Sequence, residues 1–480
     1  MPLSTEEMIH GGYLHLSRQD LSRRMAAATP SLYDCLLASI YFRKAGDPIQ
    51  ALRVLDGQAD SPVFEATYNR LQAMGHRLDF QDSQRIAEQA LRTLADNWTP
   101  AQRDYATNIA RTSAVLADLA AYPTALAPDQ LQCNGYWNLD SQEFTACTGL
   151  VDGSRRLARP VDALFDPGSQ CWLDRGRGTV IGELLQPEHH LCSFFGGMTP
   201  WQIAADAAGA APEEELDDVA VFVESNPHYG HFLTQSGSYA NALQYAEQLL
   251  PAEAEGITVL SRDAIPPWGQ EMLQASCRVP LTFAVIDRQR RLQARRLVVA
   301  PPTWIEWHYV HRDHPRPFRR AAETLLQRST GEAGGHGGLR LYFSRSRLGD
   351  CLRRSINEEA LETELAQRGF TIVHPQELPL AEVVRLVNAA ALIAGASGSA
   401  MHNVLFRLPG PPLMTLNFAH ALPATNGALV ERGCGLHHNL YLRCTEEEER
   451  PAGEANGLRF NVERCLEGAA MALDQLSKLA

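Results

Sequence analysis

Beyond about residue 218 the chain falls into short apolar runs separated by amphipathic stretches. DDVAVFVES has the pattern of a buried strand, HFLTQSGSYANALQYAEQLL of a helix and GITVLS of the next strand. LTFAVID and RRLVVAPP follow as strands on either side of RQRRLQARR. After residue 338 the alternation resumes. LRLYFSR, TIVHP, ALIAGA and PPLMTLN are predicted strands, with NEEALETELAQRGF, PLAEVVRLVNAA and SAMHNVLF as the helices among them. Apolar runs with no polar alternation belong to strands covered on both faces, which predicts parallel sheets flanked by helices.

Residues 1–125 carry helical periodicity throughout. SLYDCLLASIYFRKAGD and IQALRVLDG are joined by the turn signal Gly46–Asp47–Pro48, and FEATYNRLQAMGHR precedes DSQRIAEQALRTLADNW, for which Asp82 or Ser83 is the expected N-cap. The phrasing has features of tetratricopeptide hairpins, but the irregular intervals favour an irregular helical layer. Around 126–200, runs such as ALFDPGSQCWLDRGRGTVIGELL predict short strands and turns. The expected organisation is therefore a helical region at 1–125 and an α/β domain at 126–302 with a short β-rich lead-in. A connection at 303–338 ends in the Gly-rich stretch 334–338, followed by a second α/β domain at 339–450 and a closing helix at 451–480. At 480 residues the chain exceeds what one core can hold. Two α/β halves place a ligand in the cleft between them.

Composition narrows the class. A formal net charge of −13 argues against nucleic acid as the main partner, because phosphate backbones select basic surfaces. Ten cysteines without a Cys-x-x-Cys pair predict reduced thiols, not a disulfide framework or zinc site. The N-terminus lacks the basic and apolar regions of a signal peptide, and no uncharged apolar run approaches the ~18 residues that span a bilayer. The expected location is cytoplasmic.

Candidate chemistry gathers at strand ends. Arg345 and Arg347 follow LRLYFS, while Gly395, Ser397, Gly398 and Ser399 lie between ALIA and the helix at SAMHNVLF. Guanidinium groups beside a glycine turn and a helix N-terminus suit a diphosphate, although either arginine can equally pair with Glu358 or Glu359. His374 and Glu377 follow the next strand, where they can meet a base or ribose. No Asp-x-Asp is present to hold a divalent ion, so arginines and backbone amides would carry the charge of a departing diphosphate. In the first half, Asn226, His228 and His231 lie at a strand-to-helix corner, where an imidazole can take a proton from a hydroxyl. Asp313 and the histidines at 308, 311 and 314 form a further cluster, whose Pro-rich setting and spacing favour a connection over a metal site.

The segments NPHYGHFL, YFSRSR…NEE and GASGSAMHNVLF resemble glycosyltransferase family 61, in particular its bacterial capsular polysaccharide and lipopolysaccharide branch, over roughly residues 130–440. The resemblance implies an inverting, metal-independent transferase with two Rossmann-like domains facing a cleft (the GT-B arrangement), preceded here by the all-α region. It implies no cofactor, a nucleotide-sugar donor, and a glycan, lipid-linked or protein acceptor. Peripheral membrane association at the inner face stays open. His231, with His228, Asn226 and Gln235, would form the acceptor side, with His231 as base and Glu224 as its aid. Arg345, Arg347, Gly395, Gly398 and Asn403 would bind the donor. Two positions depart from the family pattern. Ser397 replaces a histidine between the glycines, and Gln235 replaces an acidic residue one helical turn after the motif histidine, removing a proton acceptor there. Those departures motivate two rivals: a silent scaffold that docks a partner through its N-terminal helices, and a nucleotide-sugar epimerase of similar fold.

Overall fold

A computed structural model of the protein describes residues 21–26, 30–44, 48–58, 61–77, 80–103, 106–107, 109–110, 131–152, 158–168, 170–181, 184, 209–250, 255–300, 303–305, 309–329, 338–348, 354–420, 425–448 and 457–479. Two sheets dominate the described residues, and both contain parallel strands. The protein is mixed α/β.

The first sheet runs Thr179–Val180, Cys171–Asp174, Arg159–Asp166, Leu292–Val299, Glu214–Phe222, Ile257–Ser261, Leu281–Val285. Its last four strands are parallel. The other three continue it as an antiparallel meander, matching the turn-rich texture of that part of the sequence. Ile257–Ser261 is buried at all five positions, as an apolar run covered on both faces requires.

The second sheet runs Trp304–Ile305, Tyr309–His311, Glu143–Asp152, Leu131–Asn138, His438–Arg443, Met414–Ala419, Ala390–Ala396, Leu339–Phe343, Thr371–Val373. From Leu131–Asn138 onward every neighbouring pair is parallel. Phe343 lies beside Gly395 and Val373, and Gly395 beside Asn417. The segments that follow these strands therefore leave the sheet along one edge, where parallel α/β sheets bind ligands.

Strand pairing redraws the expected boundaries. Leu131–Asn138 and Glu143–Asp152, assigned from sequence to the first α/β domain, belong to the second sheet, with Trp137 opposite Leu440. His438–Arg443 would otherwise present an open edge of unpaired N–H and C=O groups, which this addition closes. The stretch 303–338 is not a plain connection either. It adds Trp304–Ile305 and Tyr309–His311 to the same sheet and places the helix Arg316–Ser329 between the two lobes, each being one of these sheets with the helices that flank it. Phe318 of that helix packs edge-on against Phe406 at 5.5 Å, and Arg319 donates to the carbonyls of Arg407 and Cys434. The tail contributes the strand Gly457–Phe460 as well as the helix Val462–Ser477, which is capped by Asn461 accepting from the Arg464 N–H at 3.0 Å. Cys465, Ala469 and Ala472 of this helix cover the outer face of the second sheet.

Nearer the N-terminus, Leu32–Lys44, Pro48–Arg53, Phe64–Arg77 and Phe80–Thr93 are helices. The last begins at Phe80, so Asp82 and Ser83 lie inside its first turn instead of capping it. Asp82 pairs with Arg85 at 2.9 Å, and Ser83 is buried. Cys35, Cys277, Cys434, Cys444 and Cys465 are buried free thiols. No helix among the described residues is long and apolar enough to cross a membrane.

Candidate active site

The chain leaves Glu214–Phe222 and turns at Asn226. Asn226 Oδ1 accepts the His228 N–H at 3.0 Å, and its backbone N–H donates to Ser236 Oγ at 3.2 Å. Its side-chain amide donates to Gln235 Oε1 at 3.1 Å. Asn226 and Gln235 thus bracket the corner and present His228. The predicted single helix is instead a turn, Tyr229–His231, then a π segment, Phe232–Ser236, then the helix Gly237–Leu249. A π segment widens the helix by one residue and is frequent at functional sites.

His228 and Tyr229 face a cleft of about 570 Å³ whose opposite wall includes Arg345, Gln376, Ser399 and Asn403 of the second lobe. The His228 and His231 rings lie 4.9 Å apart, with His231 behind His228 and partly buried. Burial, then the neighbouring His231, then Arg345 across the cleft hold the His228 pKa below the ordinary imidazole value. Tyr229 donates to Asn403 Oδ1 at 2.5 Å, a hydrogen bond that ties the lobes together at the cleft floor. Burial raises the Tyr229 pKa, so its hydroxyl is a donor and no base. Trp268 packs against both rings, tilted on Tyr229 at 4.9 Å and edge-on to Phe232 at 4.7 Å.

The lobes also meet through backbone. A Cβ on Gly230 would fall 2.8 Å from Ser399 Cβ and 3.2 Å from its Cα, so only glycine admits this approach.

On the second lobe, Arg345 is held by its main chain. Its N–H donates to both carboxylate oxygens of Glu358, at 3.1 and 3.2 Å, and Tyr342 donates to the same carboxylate at 2.7 Å. Ser355 adds a short hydrogen bond. Glu358 is 1% exposed, and burial raises its pKa against the pull of these donors. The Arg345 guanidinium reaches to 3.5 Å from the Cβ position of Gly398, which brings it to the loop at 395–399. Arg347 goes elsewhere. It pairs with Glu377 at 2.9 Å, with side chains 61% and 45% exposed, and is absent from the cleft wall.

The Gly-x-x-Gly segment divides its tasks. Gly395 is a strand residue, where a Cβ would meet Met401 Sδ and the Phe343 carbonyl at 3.0 Å, so it serves packing. The Ser397 N–H donates to Phe418 O at 2.8 Å, its hydroxyl lies 4.0 Å from the Cβ position of Gly427, and it is not among the residues lining the cleft. Gly398 is extended backbone before the 3₁₀ helix Ser399–Phe406. Ser399 and Asn403 of that helix line the cleft. His374 is partly buried and its Nδ1 finds no hydrogen-bond partner among the described residues, while Pro375 and Gln376 beside it reach the wall.

Both walls of this cleft lie within residues 218–414, and that stretch matches the family model of Glycosyltransferase 61. The protein is a glycosyltransferase. No curated protein matches it in sequence. Among solved structures it is similar to the ADP-heptose LPS heptosyltransferase II of E. coli, at 12% identity and a TM-score of 0.28, covering 54% of this chain and 99% of that one.

Other candidates resolve as structure. Glu224 of the glycosyltransferase, expected to assist His231, is buried in an ion pair with Arg262 at 2.9 Å, which commits its charge. His308 lies outside the described residues. His311 Nδ1 accepts the Asp313 N–H at 3.0 Å, and His314 Nδ1 lies 3.0 Å from Thr303 Oγ1, with its ring between Trp304 and Phe318. Burial pushes the His314 pKa down to about 3. Among the described residues, no group of three or more His, Cys, Asp or Glu is placed to hold a metal ion.

Sequence reasoning missed Tyr229, Gly230 and Trp268, and named Glu358 only as a pairing partner of the arginines. Tyr229 and Gly230 stand inside NPHYGHFL and Glu358 inside NEE, so the motifs contained them without revealing their tasks. Trp268, in PPWGQ, carried no signal.

Proposed function

We propose that this glycosyltransferase moves a sugar from a nucleotide diphosphate to an acceptor hydroxyl with inversion and without a divalent ion, across a GT-B-like pair of Rossmann-like lobes. One observation carries the reading: the His228 imidazole from one lobe, with the His231 ring 4.9 Å from it, and the Arg345 guanidinium from the other lobe face a single cleft. His228 accepts the acceptor's proton, and His231 behind it forms the second imidazole of the pair. The acceptor oxygen then bonds to the anomeric carbon as the carbon–oxygen bond to the diphosphate breaks. That bond's electron pair leaves with the diphosphate, whose charge is met by Arg345 and by the N–H groups at the start of Ser399–Phe406. A single displacement inverts the anomeric centre.

Asn226 and Gln235 act by presenting His228, and Asn403 by joining the lobes through Tyr229. Arg347 and Glu377 shape the outer loop. A hydroxyl of a surface polysaccharide or other glycoconjugate, made in the cytoplasm, fits the acceptor. The test is a thermal-shift screen against UDP-, GDP-, CMP- and dTDP-linked sugars, in which the true donor raises the melting point by mass action. Transfer assays of His228→Ala and His231→Ala follow with that donor. Lost transfer with donor binding retained is expected, and normal transfer by both variants refutes the assignment.

A further inference from the structure

A second concavity shares no lining residue with the cleft. It lies between the helices Gly237–Leu249 and Arg316–Ser329, encloses about 790 Å³, and is lined by five arginines and three acids, a formal excess of two positive charges. On a protein of net charge −13 this is against the average. Two of the acids are already engaged. Glu247 accepts Arg320 through both oxygens at 2.6 and 3.0 Å and also takes the Arg278 backbone N–H. Asp313 pairs with Arg316 at 2.8 Å.

The remaining guanidinium charges are not matched by carboxylates. Arg319 donates to two main-chain carbonyls, which satisfy its hydrogens but not its charge. Arg278 and Arg312 are exposed, and their side chains form no hydrogen bond or ion pair among the described residues. Glu323 is the one lining acid left to balance all three. The backbone of Arg278 is pinned to Glu247 and Arg320 is locked to the same carboxylate, so the groove is preorganised.

We propose that this groove is a second, non-catalytic binding site for a ligand bearing two or more phosphate groups. Guanidinium forks match phosphate oxygens in geometry and lose little hydration on binding them. The volume suits a ligand of small-molecule size. The same chemistry is offered by a soluble diphosphate and by a phospholipid headgroup.

The experiment titrates inorganic pyrophosphate into the full-length protein by calorimetry at constant ionic strength, comparing the unmodified protein, Arg345→Ala, the double variant Arg278→Ala/Arg312→Ala, and the triple variant that combines them. Both arginines of the double variant are exposed, so its unliganded melting point should be unchanged. In the Arg345→Ala background, pyrophosphate binding should persist, and adding the two groove substitutions should weaken it about tenfold or more. A vesicle arm compares phosphatidylcholine alone with phosphatidylcholine containing phosphatidylinositol bisphosphate, whose headgroup carries more than one phosphate. Vesicle capture lost in the double variant, with weak pyrophosphate binding, identifies the headgroup as the source; the reverse identifies the soluble anion. Pyrophosphate and vesicle binding both unaffected by the double substitution overturns the proposal.

Discussion

Gly230→Ala is the sharpest perturbation of the seam between the lobes. The added Cβ would fall 2.8 Å from Ser399 Cβ and 3.2 Å from Ser399 Cα. The Ser399 hydroxyl can rotate aside, but its Cβ and backbone cannot, because the residue opens the 3₁₀ helix Ser399–Phe406. Normal carbon contacts need about 3.5–4.0 Å, so the lobes must part by roughly 1 Å at this point. Overpacking of this kind costs about 1–3 kcal/mol. The displacement acts where His228 and Tyr229 face Arg345 and Asn403, and a shift of about 1 Å in such geometry can cost on the order of 10²-fold in rate. The assay is kcat/KM for transfer with the identified donor, beside the denaturation midpoint. We expect a loss of about 10- to 100-fold that is partly restored in Gly230→Ala/Ser399→Gly, where the opposing Cβ is gone. Normal kcat/KM in Gly230→Ala, or no recovery in the double variant, would refute the reasoning that this contact sets the cleft.

Four further outcomes follow from the same geometry. Arg345→Ala should weaken donor binding by about 2–3 kcal/mol through loss of charged hydrogen bonds, whereas Arg347→Ala, removed from the wall and paired on the surface, should change it by under about 1 kcal/mol; equilibrium titration with the donor nucleotide separates them, and equal losses would contradict the placement. Glu358→Gln puts an amide N–H against three donors, so the donor KM should rise and stability fall by about 1–3 kcal/mol, while unchanged donor KM would show that the Arg345 loop holds itself. Because the His228 pKa lies below 6.5, its base form dominates at pH 7 and the acidic limb of kcat/KM should fall below that value; Arg345→Ala, removing one of the charges that depress it, should move the limb upward. His314 titrates near 3 in the native state and near 6.5 unfolded, so between those values the unfolded chain binds the extra proton and stability falls as pH falls. Denaturant unfolding should show about 2 kcal/mol lost from this group between pH 7.5 and 5, with the loss absent in a folded His314→Gln variant.

Much of the fold was legible in the residue pattern, because burial on both faces is written locally as apolar runs such as ITVLS and ALIAGA. The corner NPHYGHFL, the SRSR loop and the small-residue turn at 395–399 were legible for the same reason: strand ends need polar or small residues, and parallel sheets gather them at one edge. Side-chain direction was not. Arg345 and Arg347 are two residues apart and alike in sequence, yet one lines the cleft and the other pairs with Glu377 on the surface. The difference arises from Glu358, thirteen residues on, which fixes the Arg345 main chain.

The sequence by itself determined the α/β class, most of the strand–helix alternation after residue 218, and the short segments at the strand ends that line the cleft. Tertiary structure alone decided that 131–152 completes the second sheet, that His228 stands in front of His231, and that Gly230 meets Ser399. Periodicity reports how each element faces solvent or core, whereas partner choice depends on which open edge or opposing surface lies across hundreds of residues.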